Sequence, residues 1–255
     1  MALKRGSFIL IDYVAKVKET GEVFDTTLEE EARKHEIYRA DVFYEPMLVV
    51  LGEGWVVKGL EEALMEMNVG EKKTVEVPPE KGFGRRDPSK IRLVPLRMFR
   101  GETGLRPGAR VEYRGMTATV RSISAGRVQL DFNPPLAGKT LVYEVEVKEE
   151  ITDPLGKIKA LLHRRLPSVP VDKFSLSLES GVLTVKMPDE TYMLDGIQFI
   201  KRGFAGDVLR FLPEVSKIVF VEEYARRVEA KPEEAKTAEK PEEKTEEKPA
   251  SEEPS

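Results

Sequence analysis

The chain of 255 residues is 40% apolar and 34% charged, carries a formal net charge of −4, and has no cysteine and two histidines. That length suits two or three domains, and the missing thiols exclude a disulfide framework, a cysteine nucleophile and a thiolate metal site. No apolar run approaches the roughly 18 to 20 residues that span a bilayer, which argues against an integral membrane protein.

From Phe8 to Val17 the residues alternate, with Ile9, Ile11, Tyr13, Ala15 and Val17 on one face, before a turn at Thr20-Gly21; this pattern predicts a strand entering a hairpin. Residues 28–41 are charged and helix-compatible and read as a surface insertion. Met47 to Leu51 is β-rich, and Leu60, Ala63, Leu64 and Met67 recur at helical spacing up to Asn68-Val69-Gly70. Lys72 to Val77 reads as a strand ended by Pro78-Pro79, and the glycine-rich loop 81–84 follows.

Composition then shifts. Ala109 to Tyr113, Met116 to Ile123 and Val128 to Phe132 are strand-like pieces, separated by tight turns at Arg114-Gly115 and Ala125-Gly126. After Pro134-Pro135 the segment Leu141 to Val147 resumes the earlier alternation, so the piece between is expected to be an inserted domain bracketed by two halves of a host. Asp153-Pro154 predicts the start of a further helix, with Ile158, Leu161, Leu162 and Leu166 as its apolar stripe. A hairpin from Ser175 to Met187 turning at Ser180-Gly181 comes next, then a helix through Ile197 to Leu212 interrupted near Gly203 and Gly206, then a strand from Lys217 to Val221.

Charge is concentrated at one end. Residues 229–255 hold ten Glu and five Lys, about −5, and the remaining 36 basic and 35 acidic residues leave the body near +1. The terminal segment lacks aromatics, Leu and Ile and is expected to be a disordered acidic tail. A nearly neutral body makes nucleic acid an unlikely partner, although the arginines of the inserted piece leave a nucleic-acid-binding protein as an alternative. The apolar stretch from Phe8 is broken by Asp12 and too short for a signal-peptide core, so a cytoplasmic location is expected.

Tyr13, Phe24, Asp25, Met47, Val56, Val57, Leu60, Phe83 and Tyr143 are aromatic or aliphatic residues spread over strands and turns, with one carboxylate among them. By themselves they fit a hydrophobic core with a turn aspartate as well as a pocket. Their wording and order add more. GEVFDTT at 21–27, LGEGWVVKGLEEAL at 51–64, MNVGEKKTVEVPPEKGFG at 67–84 and LVYEVEV at 141–147 resemble the successive signature blocks of FKBP-type peptidyl-prolyl isomerases. The interruption between Gly84 and Gly138 is similar to the insert-in-flap domain of SlyD-like members, and the C-terminal part resembles the extra unit of long archaeal members.

The resemblance implies an α+β multidomain protein. Residues 1–84 and 139–152 would form an FKBP-like antiparallel sheet wrapped on a short helix, 85–138 an inserted all-β domain, 153–227 a C-terminal α+β domain and 228–255 the tail. It implies isomerisation of X-Pro bonds in unfolded or nascent chains without cofactor or metal, with chaperone activity through the insert. Tyr13, Asp25, Phe83 and Tyr143 would be catalytic, and Phe24, Met47, Val56, Val57 and Leu60 would bind substrate. Leu60 takes the pocket-floor position often held by tryptophan, Phe83 the place of a flap tyrosine, and Met47 that of another aromatic; Trp55 falls outside the floor position. An inactive FKBP-like binding or chaperone scaffold is the other alternative, and a homodimer through the C-terminal part remains open.

Overall fold

The alternating segment from Phe8 forms a strand over its whole expected length in the computed structural model, which describes residues 3–225; the acidic tail at 228–255 lies outside them. In chain order the strands are β1 (Phe8–Val17), β2 (Val23–Thr26), β3 (Met47–Val50), β4 (Lys72–Val77), β5 (Ile91–Pro95), β6 (Arg110–Tyr113), β7 (Met116–Ser124), β8 (Arg127–Asp131), β9 (Leu141–Ile151), β10 (Ser175–Glu179), β11 (Val182–Lys186) and β12 (Lys217–Val221). The helices are α1 (Glu29–Lys34), α2 (Lys58–Leu64), α3 (Pro154–Arg165) and α4 (Ile197–Phe211). The fold is mixed α/β, with mostly antiparallel sheets and few helices.

A five-stranded sheet runs β2-β1-β9-β4, with β3 also on β1. One edge of β1 is shared: its first half pairs with β3, from Phe8 opposite Val50 to Ile11 opposite Met47, and its second half with β2, from Val14 opposite Thr26. Residues 28–46 leave the sheet where that edge changes partner. Strand β9 continues past Val147, because Glu149, Glu150 and Ile151 keep pairing with Leu10, Ile9 and Phe8. Helix α2 covers the face built from Ile9, Ile11, Tyr13 and Ala15, burying Leu60 and Leu64. Gly59 permits this approach: a Cβ there would lie 2.8 Å from Val77 Cγ1.

Strands β5-β8-β7-β6 make a second sheet with its own core of Val94, Phe99, Val111, Ala118, Val120, Val128 and Leu130. Both expected turns have positive φ at two successive residues, 54° and 74° at Arg114-Gly115 and 46° and 71° at Ala125-Gly126, as type I′ hairpins require. Strand β5 has no counterpart in the sequence reading. The connections at 84–90 and 131–138 are fastened by polar contacts: Gly138 N–H donates to Gly84 O at 2.8 Å, Asp87 N–H donates to Asn133 Oδ1 at 2.9 Å, and buried Asp131 pairs with Arg86.

The third sheet, β10-β11-β12, joins an antiparallel hairpin to a parallel strand, and α4 supplies the crossover that a parallel pair needs. Asp153 caps α3, accepting from Gly156 N–H at 2.6 Å. Helix α4 is continuous where an interruption was expected. Gly203 serves packing instead: a Cβ there would sit 3.1 Å from Arg165 Cζ, and Arg165 Nε donates to Asp207 Oδ2 at 2.7 Å.

The core between α3, α4 and this sheet takes in Phe8, Leu48 and Val50 from the first sheet. Phe8 meets Phe211 edge-on at 5.8 Å, and Trp55, half-buried, meets the same ring at 5.8 Å. The even-numbered face at the start of β1 is therefore covered by the C-terminal part.

Candidate functional site

The break in pairing along β1 falls at Tyr13, and two threonines close it. Tyr13 N–H donates to Thr27 Oγ1 at 3.0 Å, while Tyr13 O accepts from Thr26 Oγ1 at 2.8 Å and from Thr27 N–H at 3.2 Å. This clamp sets the register of the preceding residues of β2. Asp25 comes to lie where its Oδ2 accepts the Tyr13 hydroxyl at 2.7 Å. The pairing of β1 with β2 shifts register between Ala15, opposite Asp25, and Lys16, opposite Val23, so Phe24 bulges out of the ladder and meets the Tyr143 ring edge-on at 6.3 Å. Tyr143, opposite Ala15 on β9, also tilts against Tyr13 at 5.9 Å.

Burial raises the Tyr13 hydroxyl far above the ordinary phenol range, and the Asp25 charge and hydrogen bond add to this. Tyr143 is pushed up to about 12, first by burial and then by Asp25. Both phenols are thus neutral at physiological pH, able to donate or accept a hydrogen bond but not to act as phenolates.

The loop before α2 supplies the next residues. Glu61 Oε1 accepts the N–H groups of Gly52 at 2.9 Å and Gly54 at 3.0 Å, two positions at φ 90° and 67° where glycine is suited. That ties the 52–57 loop to the helix and seats Val56 and Val57, half-buried, against the first core. Among the described residues the Val57 N–H donates to no protein acceptor. Leu60 lies beneath at 1% exposure.

Eight of the nine residues singled out in the sequence therefore lie in or on the first core; Tyr13, Leu60 and Tyr143 are buried in it, and Phe24, Met47, Val56 and Val57 pack against it, with Asp25 bound to Tyr13. Phe83 stands apart at 43% exposure. Two cavities flank the group. One of about 490 Å³ lies between Phe24, Phe83, Pro135 and Arg110, at the approach of the second sheet. The other, about 520 Å³, is lined by Tyr13, Asp25 and Met47 and, from the C-terminal part, by Ala160, His163 and Arg164.

Sequence reasoning missed Thr26 and Thr27 as the clamp, although two hydroxyl residues directly after an aspartate were a visible signal. It also missed the α3 residues, whose proximity depends on tertiary contact alone. Among the described residues no cluster of three or more His, Asp or Glu side chains is placed to hold a metal ion, and no helix is long and apolar enough to cross a membrane.

A family model described as FKBP-type peptidyl-prolyl cis-trans isomerase matches residues 1–148, and one described as FKBP26_C-terminal matches residues 154–225. The chain is 38% identical over 149 residues to a short-type peptidyl-prolyl cis-trans isomerase of Methanocaldococcus jannaschii, covering 58% of this chain and 93% of that protein. It is 27% identical over 142 residues to the FKBP-type peptidyl-prolyl cis-trans isomerase SlyD of Helicobacter pylori, covering 54% and 69%. Similarity to the FKBP-type 16 kDa peptidyl-prolyl cis-trans isomerase of Escherichia coli is 32% over 109 residues, covering 41% and 73%.

Proposed function

Because the chain belongs to the family of FKBP-type peptidyl-prolyl cis-trans isomerases and is an enzyme of that kind, we propose that the X-Pro bond turns beside the Tyr13–Asp25 pair. The hollow is contributed by Phe24, Met47, Val56, Val57, Leu60, Phe83 and Tyr143. The observation that carries this reading is the 2.7 Å hydrogen bond from Tyr13 to Asp25, held at the meeting point of three aromatic rings.

Rotation about the imide is opposed by resonance, with a barrier of about 18–20 kcal/mol. At the twisted transition state conjugation is lost and the bond dipole shrinks, so a site that binds the twisted form in apolar surroundings lowers the barrier without acid, base or metal. A thousand- to ten-thousand-fold acceleration requires about 4–5.5 kcal/mol. Leu60 and Tyr143 form the floor and wall for the proline ring, Val56 and Val57 the side, and the Val57 N–H holds a substrate carbonyl. Phe83, on its exposed loop, closes over the ring and excludes water. Asp25 orients the turning carbonyl and fixes Tyr13.

Residues 85–138 form an insert-in-flap domain that holds unfolded or nascent proline-containing chains near the site and gives the enzyme chaperone activity. Leu93, Met98 and Met116 are exposed there and support this role, whereas Phe99 is buried in the core of that sheet. A second contact makes the search for prolines effectively intramolecular. Residues 153–227 form a C-terminal α+β domain of the long archaeal type. Its exposed Met193 and Phe199 suit a homodimer, which light scattering of the full chain measures. The expected location is the cytoplasm.

The test is a proline-peptide isomerisation assay on the intact protein and on Val57→Trp, Phe83→Ala and Tyr13→Phe. Filling the hollow at 57 abolishes turnover with folding retained, Phe83→Ala lowers it strongly, and Tyr13→Phe costs little. Full activity of Val57→Trp would overturn the placement of the site.

A further inference from the structure

The 520 Å³ cavity beside Tyr13 and Asp25 is closed on its far side by the C-terminal half of α3 and by the segment preceding β3. Its lining is largely apolar, with Val42, Phe43, Met47 and Leu48 among the walls, and Phe43 more than half exposed. Its charges are unevenly compensated. Asp25 is bound by the Tyr13 hydroxyl, and Glu45 by His163 Nε2 at 2.6 Å, a contact that straps the 42–46 segment to α3.

Arg164 differs. Its guanidinium lies 3.9 Å above the Trp55 ring, and among the described residues it makes no ion pair. A guanidinium held over an aromatic ring still has N–H groups that can donate to a carboxylate. Burial and then the neighbouring Arg165 lower its proton affinity, outweighing the opposing pull of Asp207, whose carboxylate is bound by Arg165.

We propose that this groove is an extension of the isomerase site, in which the C-terminal part selects client segments carrying an acidic side chain within a few residues of the proline. An apolar client residue rests on Val42 and Phe43, both exposed in the lining, and the client carboxylate pairs with Arg164. The inference rests on the reading that places isomerisation at Tyr13–Asp25, because only then is the groove continuous with the bond being turned. It gives α3 a part in substrate choice as well as in covering Phe8.

The test uses the full-length protein and pairs of decapeptides with a central Ala-Pro, identical except for Glu or Lys at one flanking position, with that position scanned on both sides of the proline. Exchange NMR gives kcat/KM for each peptide. The Glu-to-Lys ratio within one preparation does not depend on how much of a variant is folded. The wild-type protein favours Glu by about tenfold at one or more positions, Arg164→Met brings the ratio close to one, and Arg164→Glu inverts it. A wild-type ratio of one at every position, or a preference unmoved by Arg164→Glu, would overturn the groove. If Asp25→Leu at the same time loses turnover on every peptide, the placement of the isomerase site survives that failure; if Asp25→Leu turns over normally, the placement falls and the groove with it.

Discussion

The second sheet and the C-terminal part are attached to the first sheet in opposite ways. Residues 85–138 keep a core of their own and connect through two chain crossings, held to each other by Gly84–Gly138, Asp87–Asn133 and Arg86–Asp131, with Leu136 as the half-buried side chain that packs on the first core. The region after Ile151 has no separate joint: Phe8, Leu48 and Val50 of the first sheet complete its core. Polar contacts at a crossing exchange with water at small net cost, whereas separated apolar faces stay exposed. One attachment permits reorientation; the other makes two regions stand or fall together.

The largest effect expected from this difference separates two deletions. Ending the chain after Ile151 uncovers Phe8, Leu48 and Val50, each worth about 1.5–3 kcal/mol when buried, so the loss is on the order of 5 kcal/mol and comparable to the whole stability of many domains. Excising 86–137 joins ends that are already neighbours. That variant keeps its melting temperature and its turnover of short proline peptides while catalysing protein refolding poorly. Thermal denaturation and the two assays make the comparison, which breaks if the truncated chain proves as stable as the excised one.

Single substitutions sharpen it. Phe8→Ala is expected to cost about 3–5 kcal/mol and to lower hydrogen-exchange protection in both the first sheet and the C-terminal part. Val120→Ala, in the second sheet's core, costs about 1.5 kcal/mol and lowers protection in that sheet alone. Equal spread of the two effects would remove the distinction. The smallest change is at the crossing: Asp131→Asn weakens the contact with Arg86 by about 1 kcal/mol. It widens the range of second-sheet orientations seen by small-angle scattering and leaves the melting of the first sheet in place.

Much of this was legible where local chemistry decides structure. The turns at Arg114-Gly115, Ala125-Gly126 and Ser180-Gly181 each hold two successive residues at positive φ, the second a glycine that adopts it freely, and each closes a hairpin. Asp153-Pro154 starts α3 because a side-chain acceptor and a missing N–H both suit a helix N-terminus. Strand β5 was not legible, since IRLVP is short and ends in proline, and its strand state is set by pairing with β8. Nor was the continuity of α4, where packing against Arg165 outweighs the low helix propensity of glycine.

The site divides in the same manner. The motif blocks carried Asp25, Leu60 and Tyr143, and the alternation of β1 carried Tyr13; Tyr13, Leu60 and Tyr143 are buried in the first core, with Asp25 bonded to Tyr13. Ala160, His163 and Arg164 stand more than a hundred residues from Met47 and share no pattern with it, so their place beside that core is set by the buried face of Phe8, Leu48 and Val50.

Strand β9 sits between β1 and β4, yet it is made last of the five strands. While the chain emerges from the ribosome, β1 and β4 have no common neighbour to hydrogen-bond until β9, beginning at Leu141, is free. By then β5 to β8 are complete and in contact with one another. Synthesis therefore delivers the second sheet before the first, and the long-range closure between β1 and β9 is the step expected to limit folding of the enzyme itself.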